Sequence, residues 1–407
     1  MRMMYDAYQS YADAAHPIRM MAGNSEQLLR AWTSTPFASP IARMAALCEV
    51  VQVAGFTHTR PDYGVSEVRT HNGDVVAITE IPVVASPFCT LLRFSRADGE
   101  PLPKVLLVAP MSGHFATLLR GTIKTLLRDF EVYVTDWNNA RDVPLTAGAF
   151  TLDDFTAHII EFLHFMGPNS HIVAVCQPTV AALAAVSIMA ARKDPAQPAS
   201  MTLMAGPIDT RISPTKVNEL ATSKPIEWFR EKMIGAVPKG QIGAGRRVYP
   251  GFLQLTAFMS MNAERHMKSF VDMYKARVAG DNAKADQIRA FYEEYFAIMD
   301  LDSDFYLQTV ETVFQTCALP RGELTFQGEL VNPGAIRKTF LLTVEGEKDD
   351  ICAVGQTLAA QDLCSGLRPY MKSHYMQPGV GHYGVFNGKR WDNQIYPVLR
   401  DHIQSSL

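Results

Sequence analysis

The stretch Ile172-Val173-Ala174-Val175-Cys176-Gln177-Pro178 leads straight into a small-residue segment from about Val180 to Ala191, and this junction decides the fold. Four consecutive apolar residues suit a short strand buried on both faces. Ala181, Ala182, Ala184 and Ala185 suit a helix lying close against a sheet. An abrupt strand–Cys–helix turn projects its side chain from the carboxyl end of a central strand, where a nucleophile is accessible. A helix that starts at once puts its positive end beside the sulfur and favours thiolate over thiol. Gln177 then offers a backbone N–H to a developing oxyanion. Pro178 fits the first helical turn, where an N–H has no internal partner. Glycines usually stand two positions either side of such a nucleophile; here the residues are Ala174 and Pro178. A cysteine alone is more often structural, so its surroundings decide the matter.

Outward from this junction, strands and helices alternate. Val105-Leu106-Leu107-Val108-Ala109 reads as a buried strand, Phe115 to Leu127 as a helix, and Val132-Tyr133-Val134-Thr135 as a second strand. Thr151 with Asp154 forms a variant capping box ahead of the stripe Phe155, Ile159, Phe162, Leu163 and Met166, which Gly167-Pro168 ends. Met201-Thr202-Leu203-Met204 is a further strand. Upstream, Asn72-Gly73 between Glu67-Val68-Arg69 and Val75-Val76-Ala77-Ile78 predicts a hairpin, which Leu91 to Phe94 extends. In the first sixty residues, Met1, Met4, Tyr8 and Tyr11 share helical spacing, read as a face packed on the main body, with adsorption to an apolar surface as the lesser alternative. After Gly206-Pro207 the rhythm breaks into helical stretches at 228–234, 252–258, 266–278, 282–299 and 305–317. It resumes at Thr339 to Val344, followed by a strand near Ser373–Met376 and a helix from about Asn393.

This order predicts an α/β protein, an α/β-hydrolase fold with a mostly parallel central sheet and a helical cap insertion. The expected divisions are an N-terminal helical extension (1–60), the first part of the core (61–209), the cap (210–335) and the remainder of the core (336–407).

Composition narrows the class. The chain has 407 residues, 47% hydrophobic and 19% charged, with a net charge of −3, which gives no electrostatic reason to expect nucleic acid as a partner. No secretory h-region and no apolar run of roughly 18 residues is present, so the expectation is a cytoplasmic protein without a transmembrane segment. Cys48, Cys89, Cys176, Cys317, Cys352 and Cys364 are scattered and read as free thiols, with no zinc cluster among them. Oligomeric state is not legible.

The remaining site residues follow the resumed strand. Glu345-Gly346-Glu347-Lys348-Asp349-Asp350 places carboxylates in a loop beyond its carboxyl end. Asp349 is preferred over Asp350 as the acid that orients a histidine. Gly379-Val380-Gly381-His382-Tyr383-Gly384 can carry an imidazole back over the sheet, with His382 acting first as base toward Cys176 and then as acid toward the leaving alkoxide. His374 and His402 fall in a strand and in the terminal helix. The second oxyanion donor belongs after Ala109, at the backbone N–H of Met111 or of Ser112. Trp228, Phe229, Phe252 and Phe258 are candidate lining residues for an apolar substrate groove.

Four motifs together resemble the intracellular poly(3-hydroxyalkanoate) depolymerase family: Ala109-Pro110-Met111-Ser112-Gly113-His114-Phe115, Val175-Cys176-Gln177-Pro178-Thr179, Glu347-Lys348-Asp349-Asp350-Ile351 and Gly379-Val380-Gly381-His382-Tyr383-Gly384. Asp136-Trp137-Asn138-Asn139-Ala140 is similar to a landmark shared with the related polyester synthases. The resemblance implies a Cys176–His382–Asp349 triad that degrades intracellular poly(3-hydroxybutyrate) granules to oligomers or monomer, with no metal or organic cofactor. A synthase-like acyltransferase and a noncatalytic granule-binding protein are the alternatives. Ala174 and Pro178, in place of the synthase glycines, favour the depolymerase.

Overall fold

The computed structural model describes residues 2–32, 38–261 and 263–407. Nine strands form the central sheet: β1 (Glu67–Arg69), β2 (Val75–Ala85), β3 (Cys89–Arg96), β4 (Lys104–Val108), β5 (Glu131–Trp137), β6 (His171–Val175), β7 (Ser200–Met204), β13 (Phe340–Gly346) and β14 (Lys372–Gln377). Their spatial order is β1-β2-β3-β5-β4-β6-β7-β13-β14. Pairing is antiparallel from β1 through β3 to β5 and parallel from there to β14. This largely parallel sheet, flanked by helices and interrupted by a helical insertion, is an α/β-hydrolase fold. Every residue of β6 and β7 is buried, which is why, His171 apart, both read as runs of apolar and small hydroxyl residues.

Helices α1 (Arg2–Arg30) and α2 (Ala38–Val53) precede the sheet, and α3 (Arg120–Leu126), α4 (Leu152–Met166) and α5 (Thr179–Ala191) cover it. The Thr151 hydroxyl accepts from the Asp154 N–H at 3.1 Å while Asp154 accepts the Thr151 N–H at 2.8 Å, so both ends of the capping box are made. All but the last two residues of α5 are buried, consistent with its alanine content.

Between β7 and β13 the chain leaves the sheet. It forms α6 (Lys216–Thr222), α7 (Ile226–Lys232), α8 (Gly251–Met261), α9 (Ala263–Val278), α10 (Asn282–Tyr295) and α11 (Ser303–Thr309), the last continuing as a π-helix over Val310–Gln315. The helix expected to reach residue 299 ends at Tyr295, because the chain must turn there to pair β10 (Leu301–Asp302) with β9 (Arg247–Tyr249), beside β8 (Gly235–Ala236). A second short hairpin joins β11 (Thr325–Phe326) and β12 (Glu329–Leu330).

The N-terminal stripe differs from expectation. Met1 lies outside the described residues; Met4 and Tyr11 are exposed, and the packed side of α1 is carried by Tyr5 and Tyr8. Tyr5 is fully buried, and its hydroxyl donates to Asp300. Tyr8 stacks on Phe252 with ring centroids 4.1 Å apart.

Candidate active site

Three loops at the carboxyl ends of β4, β6 and β13, with a fourth after β14, converge on one cavity. Cys176 follows β6 with φ 67°, a left-handed conformation that a non-glycine residue rarely adopts. Its N–H donates to the Met204 carbonyl at 2.8 Å, and its carbonyl accepts both the Thr179 N–H at 3.2 Å and the Thr179 hydroxyl at 2.9 Å. Pro178 sits at φ −68°, within the range its ring imposes, and α5 starts at the next residue. Gly206 completes the turn, because a Cβ there would lie 1.9 Å from Thr179 Oγ1. The elbow therefore closes without glycine at 174 or 178.

The acid and the histidine are fixed from both sides. Asp349 Oδ1 accepts the N–H groups of Ile351 at 2.9 Å and Cys352 at 2.8 Å, which leaves Oδ2 for His382 Nδ1 at 2.8 Å. Asp350 is exposed and makes no such bond. Glu345, buried at the end of β13, accepts the N–H groups of Gly355, Thr357 and Leu358 and so holds the loop that carries the acid. The loop of His382 is joined to the same loop, Lys348 N–H donating to the Val380 carbonyl at 2.9 Å.

Cys176 and His382 border one cavity of about 210 Å³. Burial alone would lower the His382 pKa; the facing Cys176 and the bonded Asp349 outweigh it and hold the imidazole well above its ordinary value. The Cys176 side chain faces the ring closely enough for a hydrogen bond and for charge to act between them, and both favour the protonated imidazole.

Met111, Ser112 and Gln177 line the cavity beside Cys176. The Met111 N–H donates to Gln177 Oε1 at 3.3 Å, so one proposed oxyanion donor already has a partner. The preceding segment is anchored by Trp137, whose Nε1–H donates to the Ala109 carbonyl at 2.9 Å. The rest of that landmark is structural too: Asp136 pairs with Arg60 and accepts from Tyr63, and Asn139 Oδ1 accepts the Asp300 N–H at 3.0 Å. His114 packs between Phe258 and Tyr295, and its burial pushes the imidazole pKa down to about 4.

Of the four aromatic candidates, Phe229 and Phe258 line the cavity. Phe252 does not, because its ring is taken up by Tyr5 and Tyr8 of α1. Trp228 is outside the lining as well, set edge-on against Phe229. The sequence reading missed Tyr249 and Tyr306, stacked at 3.8 Å, and the wall formed by Val310 and Phe314. Tyr306, Val310 and Phe314 recur every fourth residue, a helical stripe that could have been read.

All six cysteines are free. Among the described residues no group of three or more His, Cys, Asp or Glu side chains is placed to hold a metal ion, and no helix is long and apolar enough to cross a membrane.

Residues 205–406 match the family described as PHB de-polymerase C-terminus. No curated protein matches the chain. Solved structures with a similar fold include a 2-hydroxy-6-oxo-6-phenylhexa-2,4-dienoate hydrolase from Rhodococcus sp. strain RHA1, at 16% identity and TM-score 0.45, covering 81% of this chain and 99% of that one. A thermophilic esterase from Thermogutta terrifontis is similar at 15% identity and TM-score 0.41, covering 81% and 98%. Likenesses at this level carry no functional argument.

Proposed function

The chain belongs, through its C-terminal half, to the PHB depolymerase family and is a carboxylic ester hydrolase; on that premise we propose that it hydrolyses poly(3-hydroxybutyrate) through an acyl-cysteine intermediate. Cys176 attacks a backbone ester carbonyl, and His382 takes the thiol proton. Asp349 fixes the imidazole through Nδ1 and stabilises its cation. The N–H groups of Gln177 and of Met111, or of Ser112 in its place, stabilise the oxyanion, a contribution of about 3–4 kcal/mol per donor. Collapse breaks the ester C–O bond, and His382 protonates the departing alkoxide. Water activated by His382 then cleaves the thioester and releases hydroxybutyrate oligomers or monomer.

The observation that carries this reading is the strained Cys176 turn facing an imidazole that a buried carboxylate holds at 2.8 Å. A mainly apolar wall suits a neutral polyester. The proposal extends to adsorption on the intracellular, cytoplasmic polyester granule. In support, Tyr11, Ile18, Met21 and Leu28 form a stripe along α1 and are each more than 60% exposed.

Amorphous poly(3-hydroxybutyrate) is the deciding substrate. Wild type releases soluble hydroxyacid without added coenzyme A, whereas Cys176→Ala loses release by at least about 10³-fold while keeping its unfolding transition. Undiminished turnover in Cys176→Ala would sink the covalent route.

A further inference from the structure

His382 borders two spaces. On one side is the apolar cavity it shares with Cys176 and the candidate oxyanion donors. On the other is a groove of about 790 Å³ between α9, α10 and the loops of Asp349 and His382. Phe258, Ile351, His382 and Tyr383 belong to both walls, so the two spaces meet at the imidazole. Neither Cys176, Met111, Ser112 nor Gln177 lines the groove.

This division has a chemical meaning. In ester cleavage the acyl carbon stays with the nucleophile and the oxyanion donors, while the alkoxide leaves past the general acid. The groove retains the acid and lacks the other groups, which is the position of the alcohol portion. Its charge is equally specific. Arg265, Lys284 and Lys348 line it, all exposed; among the described residues none of them is in an ion pair and a single carboxylate, Asp350, faces them. A neutral ester repeat has no use for such a field. The alcohol portion of a hydroxyacid polyester, however, runs toward the chain's one anionic group, its terminal carboxylate.

We propose that the groove beyond His382 is the leaving-group subsite and that Arg265, Lys284 and Lys348 recognise the terminal carboxylate of the departing hydroxyacid or short oligomer. This rests on the ester-hydrolase reading of the same site. Bond-making is unchanged: sulfur–carbon forms, carbon–oxygen breaks, and the alkoxide takes its proton from His382 and departs along the groove. The consequence is a substrate class, namely short hydroxyacyl oligomers with a free carboxyl end, cleaved near that end. Asp350 tempers the attraction, and this allows a product carrying the same carboxylate to leave.

The test compares kcat/KM for 3-hydroxybutyrate trimer as the free acid and as its methyl ester. Three exposed cations acting together give wild type a preference for the free acid of about tenfold at low ionic strength, since each contributes less than a full buried pair. The acid-to-ester ratio falls toward one in Arg265→Gln/Lys284→Gln/Lys348→Gln and in wild type at about 1 M salt. It falls part of the way in Lys284→Gln alone and rises in Asp350→Asn. Lys338→Gln, an exposed cation at the opposite end of the sheet, leaves it unchanged. Equal use of acid and ester by wild type, or a preference that survives the triple substitution, overturns the subsite. Failure of wild type to cleave either trimer or the polymer is a different result, which removes the hydrolase reading itself and the subsite with it.

Discussion

Gln177 offers two groups to the candidate site, and they act in opposite directions. Its N–H is the proposed donor to a developing oxyanion, while its side-chain Oε1 accepts the Met111 N–H at 3.3 Å. That bond is long, so a substrate carbonyl oxygen can displace it. Gln177→Met, of similar length but without the acceptor, is expected to keep kcat/KM within about fivefold of wild type. Gln177→Glu puts a carboxylate against both the donor and the oxyanion, and kcat/KM is expected to fall on the order of 10²-fold. Steady-state hydrolysis of a soluble hydroxybutyrate oligomer reads both. The position of Gln177 was legible from the strand–Cys–helix junction; the use of its amide was not, because side-chain partners across two loops leave no periodic trace. Likewise Asp349 and Asp350 are adjacent and chemically alike, and they separate only once the N–H groups of Ile351 and Cys352 turn one of them toward His382.

At the scale of elements, the turn after β6 depends on a neighbour from a different strand end. Gly206 follows β7 and leaves just enough room for Thr179, whose hydroxyl donates to the Cys176 carbonyl. Gly206→Ala is expected to cost about 1–3 kcal/mol through overpacking. Because the displaced Thr179 holds the elbow, single-turnover acylation slows as well; a change in denaturation midpoint with acylation intact would speak against this coupling. The elements themselves were readable where local and global preferences agree. β4, β6 and β7 are fully or almost fully buried strands with little polar interruption, and α4 carries its own cap. β8, β9 and β10, only two or three residues each, were not readable, since tertiary pairing rather than local pattern holds them. Phe252 illustrates the same limit: its apolar character is evident, but its partner is a helix more than two hundred residues earlier in the sequence.

Across the whole molecule, the N-terminal layer is fastened to the insertion by charge. Glu49 of α2, almost fully buried, receives Arg277 Nε at 2.8 Å and Nη2 at 2.7 Å, with Arg30 and Arg289 nearby. Burial opposes ionisation of Glu49, but the hydrogen bonds and charge of Arg277, followed by Arg30 and Arg289, prevail and hold its pKa below the ordinary 4.5. A depressed carboxylate stabilises the fold above its unfolded-state value, and this contribution disappears as pH falls through the lower folded-state value. Chemical denaturation of Arg277→Met near neutral pH is expected to show a loss of about 3 kcal/mol, with a shallower further loss on acidification than in wild type. Parallel pH slopes for the two proteins would count against Glu49 as the responsible group. Finally, β7 and β13 are hydrogen-bonded neighbours although the whole insertion lies between them in the chain. Closing a loop of roughly 135 residues consumes on the order of 4 kcal/mol of chain entropy before that pairing gives anything back. Contacts among β4, β5, β6 and β7 span shorter separations and are favoured to form earlier. A folding chain is therefore expected to set the sulfur on its bend before the imidazole and its carboxylate arrive, so that the proposed nucleophile precedes its proposed base.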